Sequence, residues 1–187
     1  MTYGYAGTTT PRVAKVAGLT RGAQVHHFGS KNDLMLAAVQ HLAATRTASV
    51  IPRFSDRMEK VEDPLDAILE IAWDIHTEVL FIPVAELWIA GRTDPALRGE
   101  VSKLESIVVM TLVAAVANFV PDAIHRALLE FMYLAMDVLR GILISSMADP
   151  DWSRARRRWD RARPGLRRAA DPVVIEWAGS GPVLNGN

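Results

Sequence analysis

The chain contains no cysteine. That excludes a disulfide framework, a thiolate metal site and a cysteine nucleophile. It has no long apolar run: the longest, "IVVMTLVAAVA" from Ile107, is about eleven residues, where a membrane-spanning helix needs about twenty. The opening "MTYGYAGTTTPR" has no basic start followed by an apolar stretch, so no signal peptide is expected. Period-two alternation is scarce, which argues against a sheet. There is no net charge either, with 21 Lys and Arg against 21 Asp and Glu. What remains is a chain of 187 residues, half of them hydrophobic, long enough for a buried core and one or two domains. It reads as a soluble cytoplasmic protein with no membrane segment.

The zero net charge hides an uneven distribution. Residues 1–50 hold Arg12, Lys15, Arg21, Lys31 and Arg46 against Asp33 alone, the middle of the chain is acidic, and residues 151–187 are arginine-rich. A basic N-terminal segment on an acidic body suits an anionic partner touched at one end. Asp-Pro recurs at Asp63-Pro64, Asp94-Pro95, Asp149-Pro150 and Asp171-Pro172. Asp accepts hydrogen bonds from free amides of a first helical turn, and proline suits the next position because no amide hydrogen is needed there. Each pair therefore predicts a helix start.

These signals predict helices over about 11–17, 21–27, 30–49, 64–81, 83–91, 95–119 with a weak point at Gly99, 121–147, and 150 to Arg163, where Pro164-Gly165 follow. The fold class is all-α. The expected organisation is an N-terminal region of compact short helices over 1–50, a domain of long apolar helices over 51–170, and a disordered tail over 171–187.

The stretch "GLTRGAQVHHFGSK", from Gly18, concentrates polar chemistry. His26 and His27 are adjacent, so on a helix they point about 100° apart and do not converge on a metal as an i, i+4 pair would. Neither a metal nor a catalytic site is expected. Two short helices around a tight turn explain the segment better. Val13, Ala14, Ala17, Leu19, Val25 and Phe28 fall at spacings that pack crossed helices, and Gly18-Leu19-Thr20 supplies the turn. The second helix then presents Arg21, Gln24, His26 and His27 outward. Arg and Gln can each make two hydrogen bonds to a base edge. Thr9, Thr10 and Lys31 flank them with groups suited to phosphate oxygens. A solvated polar face on a small hairpin would account for the same residues without DNA.

At these residues the chain resembles the TetR family of bacterial transcriptional regulators. The resemblance runs from Gly4 to Leu42 through Gly4, Thr9, Thr10, Val13-Ala14, Ala17-Gly18, Thr20, Gly22, His27-Phe28, Ser30-Lys31 and Leu34. "ELWIAGRTDPALR", from Glu86, is similar to a phrase of that family's regulatory domain. The resemblance implies DNA contacts through Thr9, Thr10, Arg21, Gly22, Gln24, His26, His27 and Lys31. It also implies a homodimer on a palindromic double-stranded operator, in a nucleoid-associated protein. The chain departs from the family in three ways. Only about seven residues precede Thr8, so a first helix is missing. Val25 and Ala23 stand where the family often has Tyr and Thr or Ser. The segment after 153 is unusually rich in arginine.

The apolar body carries Trp73, His76, Trp88, Met110, Met132 and Met136, which would suit a small apolar effector with a polar handle. The same residues at helical spacing also suit an ordinary core. Trp152, Ala155, Trp159 and Ala162 form a narrow stripe that fits an intermolecular four-helix seam with helix 121–147. The competing reading makes the arginines a second nucleic-acid surface. The expected function is a transcriptional repressor, released from its operator by the effector, using no cofactor. The alternative is a helical ligand-binding dimer that has lost DNA binding through its short N-terminus. An enzyme built on His76 with Asp74 or Glu78 is disfavoured, because these residues share no helix face well.

Overall fold

A computed structural model describes residues 9–16, 18, 20, 28, 30, 33–34, 37, 40–41, 44, 54, 57–58, 62–77, 81–149 and 151–180. Among the described residues there are helices and turns and no strand. The helices whose bounds fall among the described residues are α1 (Thr10–Val16), α2 (Pro64–Thr77), α3 (Phe81–Gly91), α4 (Pro95–Phe119), a 3-10 turn (Asp122–Ile124), α5 (His125–Ile144), α6 (Ser153–Ala169) and α7 (Pro172–Gly179).

Three Asp-Pro pairs act as the sequence predicts. Asp63 Oδ1 accepts from the amides of Leu65 and Asp66 at 3.1 and 3.2 Å. Asp94 Oδ1 accepts from Leu97 N at 3.0 Å, and Asp171 Oδ1 from Val173 N at 2.9 Å. Each satisfies amides that a helix start leaves without an intrahelical partner. The last pair overturns an expectation: residues 172–179 are helical, not a disordered tail. Val174, Trp177 and Ala178 of that helix are buried, which offsets the entropy of ordering it. Residues 181–187 lie outside the described set.

Other boundaries also differ. α4 runs through Gly99 without a break, since Leu97 and Val101 on either side are buried with Leu87. One exposed helical glycine costs only about 1 kcal/mol. α6 starts at Ser153 rather than Pro150, with Asp151 Oδ1 accepting from Ser153 N at 2.8 Å. It also continues past Pro164 to Ala169. Beyond the proline, Leu166 is buried and Arg167 is tied to α2, so packing and charge outweigh the missing amide. Pro83 sits in the first turn of α3, where its lost N–H has no intrahelical partner to miss.

The chain forms two compact units, 1–46 with 79–108, and 47–78 with 109–187. Residues 79–108, which composition alone groups with the second domain, therefore belong with the N-terminal segment. In the first unit, Leu87, Leu97 and Val101 form a core with Val84, Trp88 and Ala90 packed around it. Arg98 closes this α3–α4 corner, its Nε donating to Gly91 O at 3.1 Å and its Nη2 to Arg92 O at 3.0 Å. The Gly91 position approaches the Arg98 backbone so closely that a Cβ there would lie 3.4 Å from its Cα.

In the second unit α5 is central and packs against α2, α6 and α7. Leu128, Phe131, Ala135, Leu139 and Ile142 recur every three to four residues along its buried side. Ala155 and Trp159 of α6 are fully buried inside the chain. This corrects the expected intermolecular seam: Ala155 and Trp159, the centre of the narrow apolar stripe, are covered by the chain's own fold, Trp152 and Ala162 are partly buried, and the large exposed side chains of α6 are charged.

Candidate nucleic-acid interface

The N-terminal segment is framed by two helix boundaries. Thr9 is exposed, and its carbonyl accepts from Val13 N at 3.1 Å, so it stands just before α1. Thr10 is the first residue of α1 and is partly buried. Ala14 is buried while Pro11, Arg12, Lys15 and Val16 face out. At the C-terminal end Gly18 adopts φ 66°, the left-handed conformation that glycine takes without a Cβ penalty. A tight turn therefore follows α1 where the sequence predicts one.

The second boundary lies at Ser30. Its hydroxyl donates to Asp33 Oδ2 at 2.7 Å and accepts from Asp33 N at 3.1 Å, while Leu34 N donates to Ser30 O at 3.2 Å. Ser30 thus caps the helix through the Asp33 amide, and Asp33 returns to the Ser30 hydroxyl, a variant of the capping box in which the carboxylate meets the cap's side chain. Leu34 is buried and Asp33 exposed, so the helix that begins here has an inner and an outer side.

Of the residues expected to touch DNA, Thr9 and Thr10 are placed at the start of α1, with Thr9 exposed. Arg21, Gly22, Gln24, His26, His27 and Lys31 lie outside the described residues. Arg12 and Lys15 share the exposed side of α1 and are not singled out by the sequence reading. The signal that could have found them is a basic i, i+3 pair opposite a small buried residue.

The residues expected to line an effector site divide between the units. Trp88 packs in the first unit, with its ring edge-on to Phe81 at 6.4 Å between centroids. Met110 is 72 % exposed on α4, which does not suit an enclosed cavity. Trp73 on α2 and Met132 and Met136 on α5 are buried in the second unit. His76 reaches across from α2 to α5: its Nδ1 lies 2.8 Å from Ala72 O, and Arg140 Nε donates to its Nε2 at 3.4 Å. The ring is thus neutral with the proton on Nδ1. Burial pushes its pKa down to about 4; the Arg140 cation also lowers it, and the bond to Ala72 acts in the opposite direction. Arg140, one turn beyond Met136, is a polar group that the sequence reading missed.

A dense ionic seam joins α2 to α6. Arg156 binds Glu70 through both guanidinium ends, at 2.7 and 2.6 Å, and lies 5.2 Å from the Trp73 ring centre. Arg163 joins Glu70 and, at 3.2 Å, Asp66; Arg167 binds Asp63. Chiefly through the Arg156 hydrogen bond, the Glu70 carboxyl is held below its ordinary range, and the same bond raises the Arg156 pKa. Among the described residues, no cluster of His, Asp and Glu is arranged to hold a metal ion. No helix among them is long and apolar enough to cross a membrane.

Residues 1–38 match the family profile "Bacterial regulatory proteins, tetR family". The chain is similar to the HTH-type transcriptional regulator CymR of Pseudomonas putida, 28 % identical over 164 residues, covering 86 % of this chain and 77 % of that protein. It is similar to the HTH-type transcriptional repressor AcnR of Corynebacterium glutamicum, 32 % identical over 111 residues, 54 % of this chain and 57 % of that one. AcnR of Corynebacterium efficiens is 34 % identical over 86 residues, 42 % and 46 % of the two chains. No solved structure matches the chain.

Proposed function

Because the chain is a member of the tetR family of bacterial regulatory proteins, and so a DNA-binding transcriptional regulator, we propose that it is a repressor whose operator affinity a small apolar effector lowers. The match over residues 1–38 carries this reading. The left-handed turn at Gly18 and the cap at Ser30 support it, since they bound the Arg21–His27 segment as a helix-turn-helix needs. Arg21 and Gln24 are assigned to base edges, Gly22 to close approach, His26 and His27 to the adjoining groove, and Thr9, Thr10 and Lys31 to phosphates. Its place of action is the nucleoid.

A palindromic operator calls for two copies of the chain. With the stripe of α6 used internally, the face that suits a second copy is on α5. Tyr133, Leu134, Gly141 and Ile144 lie exposed there at helical spacing, bordered by Glu130 and Asp137. The effector is assigned to the seam of α2 and α5, with Trp73, Met132 and Met136 as apolar contacts and His76, beside Arg140, as the polar handle. Release follows if the effector binds the DNA-incompetent state more tightly than the competent one.

A gel-shift titration with the DNA upstream of the protein's own gene tests this. The expected result is a discrete complex that weakens steeply with salt, about 0.9 in log–log slope per phosphate neutralised. Arg21→Ala with Gln24→Ala should abolish preference for that fragment over random DNA. If the double variant retains the preference, the reading segment is wrongly assigned. A folded dimer that shifts no fragment would instead be a ligand-binding protein without DNA binding.

A further inference from the structure

α6 carries eight arginines and one acid, Asp160, and the fold sorts them by direction. Arg156, Arg163 and Arg167 turn inward onto the carboxylates of α2. Arg158 donates to the hydroxyls of Ser145 and Ser146 at 2.7 and 3.2 Å. Arg154, Arg157, Arg161 and Arg168 are left on the exposed side, at i, i+3, i+7 and i+14. At ~1.5 Å per residue this row extends about 21 Å. Its first member is partly neutralised, because Asp149 lies 3.6 Å from Arg154. Arg157 is near Asp151. Asp160 is occupied by Arg156 and Arg163, and Asp171 caps α7. The strength of the row lies in Arg157, Arg161 and Arg168. Between the last two, Pro164 and Gly165 are exposed and short, so a broad partner can approach; the Arg168 guanidinium lies back toward Gly165.

We propose that this outward row is a second, sequence-independent contact for the sugar-phosphate backbone of double-stranded DNA. It rests on the chain's being a DNA-binding regulator and not on the residues assigned to base reading. Charge complementarity carries the choice of partner. Every cation on α6 is an arginine, and guanidinium groups grip phosphate oxygens in bidentate fashion where an ammonium acts as a point charge. A regular cationic row facing water, only partly neutralised by the fold's own carboxylates, matches the periodic charge of a duplex.

The test uses the full chain carrying Arg157→Gln, Arg161→Gln and Arg168→Gln, with filter binding to a random-sequence duplex across salt concentrations. The salt slope should fall by about 2 to 3, at roughly 0.9 for each phosphate that the variant no longer neutralises, while thermal unfolding is unchanged. The same three positions as Lys should restore most of the slope. In the Arg21→Ala, Gln24→Ala background, where specific binding is already gone, the Gln substitutions should still reduce random-duplex binding; this separates the row from the reading segment. An unchanged slope overturns the proposal. So does a slope that falls only together with loss of the dimer in sedimentation, because the row would then face a second copy of the chain.

Discussion

Glu70 shows how one carboxylate can fasten two helices. It receives Arg156 through two hydrogen bonds and Arg163 beside them, at a partly buried position. A fully exposed pair would contribute little, whereas removing one partner of a buried pair strands the other charge. Glu70→Gln should therefore cost an intermediate ~1–2 kcal/mol in urea unfolding, more than an exposed pair and less than a buried one. Since folding lowers the Glu70 pKa, its stabilisation is complete above the unfolded value of 4.5 and disappears as pH falls through the folded value. Wild type should lose this increment below about pH 4.5, and Glu70→Gln should not. His76 acts over a different window. Its pKa falls from 6.5 to about 4 on folding, so between these values the unfolded state binds the extra proton and stability drops with falling pH. His76→Asn should flatten the dependence of melting temperature on pH between 6.5 and 4. A histidine ring resonance at position 76 that titrates near 6.5 in the folded protein would refute the neutral, buried assignment.

At the scale of elements, helix starts were legible because capping is local: Asp63, Asp94 and Asp171 each bond amides two or three residues on. Asp94→Ala should cost about 1 kcal/mol and lower the melting temperature by ~2–4 °C. Helix ends and interruptions were less legible. Gly99 and Pro164 are both breakers by propensity, yet α4 and α6 pass through them, because buried residues and ion pairs lie on both sides. The cost of Pro164 is still present in the folded state, so Pro164→Ala should raise stability by roughly 1–2 kcal/mol, below the ~3 kcal/mol seen in unconstrained helices. The α6 stripe makes the same point through packing. Trp159→Ala should cost about 3–5 kcal/mol, and the loss should not depend on protein concentration, because the pocket it fills belongs to the same chain.

For the whole molecule, the proposed dimer and the proposed DNA contacts can be separated by where substitutions fall. Leu134→Asp with Ile144→Asp alters only exposed positions of α5, so the monomer should keep its helix content and unfold cooperatively. Sedimentation equilibrium should then show a monomer, and operator affinity should fall because two half-sites are no longer bound as one unit. A dimer that survives both substitutions would remove α5 from the interface. The division into units adds a constraint invisible in composition: residues 79–108 cluster with the N-terminal segment although the chain returns to them only after α2.

The sequence by itself determined the all-α class, three of the Asp-Pro helix starts, the left-handed turn at Gly18 and the resemblance to the tetR family, because caps, turns and short motifs act over a few residues. Tertiary structure decided which arginines of α6 face α2 and which face water, whether Trp159 lies within the chain or at its surface, and which side of α5 remains open. These depend on which distant segments meet, and a periodic stripe specifies only that a face must be covered, not what covers it.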